Sequence, residues 1–105
     1  MATGNIAYAD HRMLARDEVD YRVRAFGPDA RELSLLIVNI SARGLMARCE
    51  RDLEVGSRLR VPLPVVGVVA AEVRWALGGR IGCELDAAIE LADYYELLAR
   101  MVRGN

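Results

Sequence analysis

Residues 32–49 read ELSLLIVNISARGLMARC, and this stretch decides the kind of fold that the chain can form. An apolar run at 33–38 is followed by the polar hexapeptide Asn39–Gly44 and then by a second apolar segment, Leu45–Cys49. Two strand-length apolar segments joined by a short, glycine-containing polar segment are typical of neighbouring antiparallel strands. We therefore expect a strand, a turn and a second strand at the centre of the chain.

Two interpretations of the hexapeptide are open. Asn, Ser and Gly are ordinary turn formers, so a simple connection between strands would explain them. In an extended backbone, however, Asn39 and Ser41 point to one face, where an amide and a hydroxyl would stand side by side. Gly44 has no side chain, so it permits a sharp bend or the close approach of another group. The same residues therefore fit a turn that also binds a ligand.

Four further strands are predicted around this pair, because apolar and polar residues alternate along each of them. They span residues 19–25, 59–63, 68–77 and 80–85. The alternation places Trp75 on the same face as Val73, which favours a barrel residue over a stacking platform. Turn-forming residues recur every 8 to 12 positions, a spacing that favours a small antiparallel barrel or sandwich over a parallel sheet.

The last segment of the chain changes period and predicts a helix. Apolar residues recur there at steps of three and four, as on one face of a helix: Leu91, Tyr94, Tyr95, Leu98, Met101 and Val102. Asp86 is the predicted N-cap and Gly104 the predicted end. The strand at 32–40 is apolar on both faces, and we expect the helix to cover the second of them. The predicted fold class is mainly β, with six strands and a C-terminal helix.

Composition limits the classes of function. The chain has 105 residues and 53% apolar residues, which suits one domain with a full core, placed at residues 11–103 after a flexible lead-in at 1–10. No apolar run is long enough to span a membrane, and the N-terminus lacks the features of a signal peptide, so a cytoplasmic protein is expected. The net charge of −1 argues against binding to a nucleic-acid polymer. Nearly all of the chain is domain, so we expect no attached output module.

Neither a metal site nor a catalytic site is predicted. Cys49 and Cys83 lie far apart in apolar surroundings and are interpreted as buried small residues. His11 is the only histidine, and nothing beside it resembles a nucleophile. The sequence therefore predicts no enzyme and no cofactor.

Arg12 and Arg16 form the second candidate functional element. They are four residues apart, just before the first predicted strand, so they would share one face of a helical turn. Two arginines this close repel each other unless an anion lies between them. They are either two solvated surface residues or the two sides of an anion site.

The arginine pair and the hexapeptide together resemble the motifs of the PilZ domain family. Arg12-Met-Leu-Ala-Arg16 matches Arg-x-x-x-Arg, and Asn39-Ile-Ser-Ala-Arg-Gly44 matches Asp/Asn-x-Ser-x-x-Gly, with 22 residues between them. Residues 53–61 and 73–85 also resemble the later strands of the family. The resemblance covers about residues 11 to 103. It implies a six-stranded antiparallel β-barrel with a C-terminal helix, which binds the bacterial second messenger cyclic di-GMP and is not an enzyme.

Roles for individual residues follow from the same resemblance. Arg12 and Arg16 would grip guanine edges and phosphates, and Asn39, Ser41 and Gly44 would contact the other side of the ligand. Arg43 and His11 are possible additional contacts. Many family members carry a further arginine where this chain has His11, and Asp is commoner than Asn at the position of Asn39.

The resemblance also suggests how such a receptor would signal. Ligand would order residues 1–18 against the barrel and change the surface offered to a protein effector, and a homodimer is possible. An alternative is a PilZ-fold adaptor that acts through partners and binds no nucleotide. A small nucleic-acid-binding barrel is a third interpretation, which the acidic balance and the scarcity of aromatic residues disfavour.

Overall fold

A computed structural model describes residues 14–103, with side chains as far as Val102. The predicted lead-in at residues 1–10 lies outside the described residues, as do the candidate ligand contacts His11 and Arg12. In the described part of the chain, no helix has the length and apolar character that crossing a bilayer requires.

Six antiparallel strands close into a barrel in the spatial order β1-β2-β3-β6-β5-β4. The elements are β1 Asp17–Phe26, β2 Glu32–Ile40, β3 Gly44–Cys49, β4 Arg58–Leu63, β5 Gly67–Leu77, β6 Arg80–Leu85 and the helix α1 Leu91–Arg103. The fold class predicted from the sequence is confirmed. Closure leaves β1 and β4 joined by a single register pair, Phe26 and Arg60.

The barrel interior is filled by alternate residues of the strands, and α1 adds side chains to the same core. Leu35, Ile37, Leu45 and Val73 are fully buried in the core, as the alternation of apolar and polar residues requires. Tyr94, Leu97 and Met101 of α1 are also buried. Because one face of α1 belongs to the core, burial of this face stabilises the helix.

Tyr94 holds the helix at the end of the barrel that carries the hexapeptide. Its hydroxyl lies 2.6 Å from the carboxylate of Asp17, at the start of β1, and 2.9 Å from the carbonyl oxygen of Ile40, at the end of β2. A buried phenol needs such partners. The contact therefore fixes the strand ends on both sides of the region where the two sequence motifs meet.

Two predictions about the helix were wrong. Helix α1 begins at Leu91 and not after Asp86. The Asp86 carboxylate accepts a hydrogen bond from Arg58, and the backbone N–H of Asp86 donates to the carbonyl oxygen of Ala70, so Asp86 is held by the barrel and does not cap the helix. The helix also does not cover the second apolar face of β2, since Leu36 on that face lines an open depression. The buried face of α1 is centred on Tyr94, Leu97 and Met101, and Val102 is exposed.

Two of the three register shifts in the barrel change the face that nearby residues occupy. The β2–β3 register shifts between Ile37 and Asn39, and the β5–β6 register shifts between Val73 and Trp75. An extra residue in one strand reverses the alternation beyond it. Asn39 and Trp75 therefore lie on the outer face, and the prediction that Trp75 shares the face of Val73 was wrong.

Candidate functional site

The turn between β2 and β3 is held by the Ser41 side chain. Its hydroxyl accepts hydrogen bonds from the backbone N–H groups of Arg43 and Gly44, each at 3.2 Å, and donates to the Gly44 carbonyl oxygen at 3.4 Å. The Ser41 N–H also donates to that carbonyl oxygen, at 2.8 Å. Ser41 is 3% exposed, so its hydroxyl chiefly serves the turn itself.

Gly44 is required by the packing of two strands. A Cβ atom at this position would lie 2.4 Å from the carbonyl oxygen of Cys83 in β6, which is much closer than van der Waals contact. The register pairs Gly44 with Glu84, so the glycine allows β3 and β6 to approach at the start of β3. In this structure the group that comes close to Gly44 is another strand of the barrel.

Arg16 and Asn39 bring the two sequence motifs together. A guanidinium N–H of Arg16 donates to the side-chain oxygen of Asn39 at 2.7 Å, across 23 residues of sequence. The Asn39 amide nitrogen donates weakly to the Met46 sulfur at 3.7 Å. Asp17, next to Arg16, begins β1 and pairs with Ile40. The sequence-based expectation that only ligand would place residues 1–18 was therefore wrong for the end of that segment.

A groove of about 260 Å³ runs beside this contact on the outer face of the barrel. Arg16, Ser41, Arg43 and Gly44 line it, so four of the residues proposed from the sequence share one surface. Asn39 lies at its edge through the hydrogen bond to Arg16. The motifs thus contribute part of the groove lining, and Leu14, β5 and β6 contribute the rest.

The sequence did not assign the other lining residues to the site: Leu14, Arg74, Trp75, Gly82, Cys83 and Glu84. Trp75 is 41% exposed, and its indole ring covers Gly82, where a Cβ atom would lie only 2.0 Å from the ring nitrogen. Gly82 thus provides the space in which the ring lies flat. The pairing of a tryptophan with a glycine across a hairpin was the available signal, but the bulge that turns Trp75 outward cannot be seen in the sequence.

The groove carries excess positive charge. Arg74 pairs with Glu84 at 2.6 Å, whereas within the described residues neither Arg16 nor Arg43 pairs with a carboxylate. The Cys83 thiol, which also lines the groove, adds no negative charge near neutral pH, and burial raises its pKa further, from 9.0 to about 12. An anion with a planar component therefore fits the lining, with guanidinium groups for its charge and an indole for its flat face.

The side chains that line the groove have the chemistry of anion binding. Among the described residues, no group of three or more His, Cys, Asp or Glu side chains is placed to hold a metal ion. The carboxylate in the groove, Glu84, is already paired with Arg74. These side chains can hold an anionic ligand by charge-assisted hydrogen bonds.

Comparison with known proteins agrees with this architecture. A sequence model of the PilZ domain matches residues 10–104. A crystal structure of the PilZ domain of CeSA from a cellulose-synthesizing bacterium superimposes with a TM-score of 0.58 at 16% identity, covering 86% of this chain and 96% of that chain. No curated protein matches the chain. With nearly the whole sequence covered by one family model, the chain belongs to the PilZ domain family.

Proposed function

We propose that this protein is a receptor for cyclic di-GMP and that the groove beside Arg16 and Asn39 is its binding site. PilZ domains are in general receptors for this nucleotide, although some bind none. They are receptor or adaptor domains and not enzymes. The proposal for this chain therefore depends on what its own groove can bind.

The hydrogen bond between Arg16 and Asn39 is the observation that carries the proposal. It joins the Arg-x-x-x-Arg motif to the Asn-x-Ser-x-x-Gly motif at the mouth of a groove lined by Arg43 and Trp75. Only one of the five N–H donors of Arg16 is used by Asn39. The remaining donors can bind a phosphate or the O6 and N7 atoms of a guanine.

The other groups have distinct roles in this proposal. Arg43 supplies a second guanidinium, which pairs with no carboxylate of residues 14–103, and the Trp75 ring supplies a flat face on which a guanine can stack. Asn39 orients Arg16 and has an amide group left to meet a guanine edge. Ser41 and Gly44 act mainly by shaping the turn, because both are buried and already engaged. Arg12 and His11 remain proposed contacts outside the described residues.

The position of Arg16 limits which residues can change conformation when ligand binds. Since Arg16 already contacts Asn39 and Asp17 already belongs to β1, ligand-induced change is assigned to residues before Arg16. Binding would bring Arg12 to the same ligand and so alter the surface that a protein effector meets. In this mechanism the barrel wall stays unchanged.

The test is calorimetric titration with cyclic di-GMP of the wild type, Arg16→Ala and Arg100→Ala. Arg100 is an exposed arginine of α1, far in sequence from both motifs, so its variant controls for the loss of one positive charge. We expect Arg16→Ala to weaken binding about tenfold or more, since a charge-assisted contact contributes about 1.5 to 3 kcal/mol. Arg100→Ala should bind like the wild type. Absence of binding by the wild type would contradict the proposal and favour the adaptor.

A further inference from the structure

A second depression lies next to the candidate groove on the same outer face of the barrel. It has a volume of about 680 Å³, compared with about 260 Å³ for the groove. The register places Arg22 opposite Leu36, Leu36 opposite Arg48, and Arg48 opposite Arg80. We call these four cross-strand neighbours the arginine row. Arg48 lies two residues after Met46 in β3, and Arg80 lies two residues before Gly82 in β6, so the row is about 7 Å from the Met46–Gly82 pair.

The arginines of this row are unpaired within the described part of the chain. Arg24, Arg51, Arg58 and Arg74 each pair with a carboxylate of the barrel, but none of the arginines of the row does so. Among the described residues, one carboxylate lines the depression, that of Glu50, against three arginines. Like charges directly opposite each other in adjacent strands destabilise a sheet. The arrangement of Arg48 and Arg80 therefore has no explanation in the stability of the described fold.

Apolar groups accompany these charges. Leu36 is half-buried at the depression, and Leu77, which pairs with Arg80, is 80% exposed. The adjoining β5–β6 turn is formed by Gly78 and Gly79, whose φ angles of 62° and 79° are positive. These glycines leave the backbone at the rim uncovered by side chains. The depression thus combines guanidinium groups, Leu36 and accessible backbone, and the exposed Leu77 lies beside it on the β5–β6 hairpin.

We propose that the arginine row docks an acidic segment of a protein partner. Carboxylates of the segment bind Arg22, Arg48 and Arg80 in the forked geometry that guanidinium groups favour, and an apolar residue of the segment packs on Leu36 and Leu77. Charge complementarity identifies the class of partner. The concave shape favours a polypeptide segment, which can enter the depression, over a flat bilayer surface. This docking site is separate from the nucleotide groove and requires no cyclic di-GMP.

A labelled peptide tests the proposal directly. The probe is a short fluorescein-labelled peptide that alternates glutamate with leucine, and its binding is followed by fluorescence anisotropy. The test variant is Arg48→Gln combined with Arg80→Gln. The matched control is Arg24→Gln combined with Arg100→Gln, which removes the same charge from exposed positions outside the depression. Cyclic di-GMP titration of each variant reports separately on the neighbouring groove.

We expect the test variant to lose about tenfold or more in peptide affinity through two charge-assisted contacts, while the control keeps wild-type affinity. Amide shifts caused by the peptide should concentrate at Leu36, Arg48 and Gly79. Equal loss in both double variants, or shifts spread over the barrel, would overturn the proposal by indicating general charge attraction. Binding to phosphatidylglycerol vesicles but not to the peptide would overturn it in favour of a membrane surface.

Discussion

The two sides of the candidate groove are built differently. On the turn side, Ser41 and Gly44 are buried, and their polar and steric requirements are met within the barrel. On the arginine side, Arg16 is exposed, and among the described residues its side chain is tied to the barrel by the hydrogen bond to Asn39. Stability and binding are thus assigned to different residues of the same two motifs. Variants on the turn side should destabilise the barrel, and variants on the arginine side should weaken ligand binding.

The largest effect is expected at Gly44. Gly44→Ala places a Cβ atom 2.4 Å from the Cys83 carbonyl oxygen, and relief requires β3 and β6 to separate. The free energy of unfolding, measured by urea denaturation, should fall by about 3 kcal/mol, as expected for overpacking against backbone.

Gly27→Ala is the matched control for this glycine. Its Cβ would meet the ends of the flexible Asp29 and Arg51 side chains at 3.3 and 3.4 Å, so its effect should stay below about 1 kcal/mol. Equal destabilisation by the two alanines would show that contact with β6 is not the reason why a glycine is needed at position 44.

A smaller loss of stability is expected at Ser41. Ser41→Ala removes the acceptor for the N–H groups of Arg43 and Gly44 in a buried turn, which should cost about 2 kcal/mol of unfolding free energy. Ser34→Ala, at an exposed position of β2, is the control. If Ser41→Ala left stability unchanged and weakened only cyclic di-GMP binding, the Ser41 hydroxyl would be a ligand contact and not a group that stabilises the turn.

The smallest effect on stability concerns Cys83 of β6, beside the turn, and depends on pH. Burial raises the pKa of Cys83 from 9.0 to about 12, so the folded state keeps a proton that the unfolded state releases. This contribution to stability is complete below pH 9 and is lost as the pH rises toward 12. Between pH 8 and pH 10 the unfolding free energy should fall by about 1 kcal/mol through this thiol.

Cys83→Ala separates this thiol from other groups that titrate at high pH. The variant should show a smaller decrease between the same two pH values in urea denaturation. Parallel decreases in wild type and variant would indicate that Cys83 ionises as readily in the folded chain as in the unfolded one.

The sequence predicted the six strands, the hexapeptide turn and the C-terminal helix, because each depends on local periodicity and turn chemistry. It did not predict the bulges at Val38 and Arg74, since a bulge is defined by the register between strands. Those bulges place Asn39 and Trp75 on the outer face. Asp86 has the right chemistry for an N-cap, and only its contact with Arg58 in the folded chain shows that it has another role.

The candidate site, like the fold, was predicted from the sequence only in part. Its motifs identified Arg16, Asn39, Ser41 and Gly44, but not the division between residues that hold the turn and residues that face the groove. That division depends on burial and on the partners of each polar atom, which local sequence does not encode. The contribution of Trp75 was missed because the bulge in β5 turns its side chain outward.

One measurement tests the division most directly: urea denaturation of wild type and Arg16→Ala, each with and without cyclic di-GMP. Without ligand, the two unfolding free energies should agree within about 0.5 kcal/mol, because Arg16 is exposed. Ligand at about one hundred times the wild-type Kd should raise wild-type stability by about 2.7 kcal/mol. If Arg16→Ala binds tenfold more weakly, the same concentration should stabilise it by about 1.4 kcal/mol or less. Equal stabilisation of both proteins, or a variant already destabilised without ligand, would contradict the account.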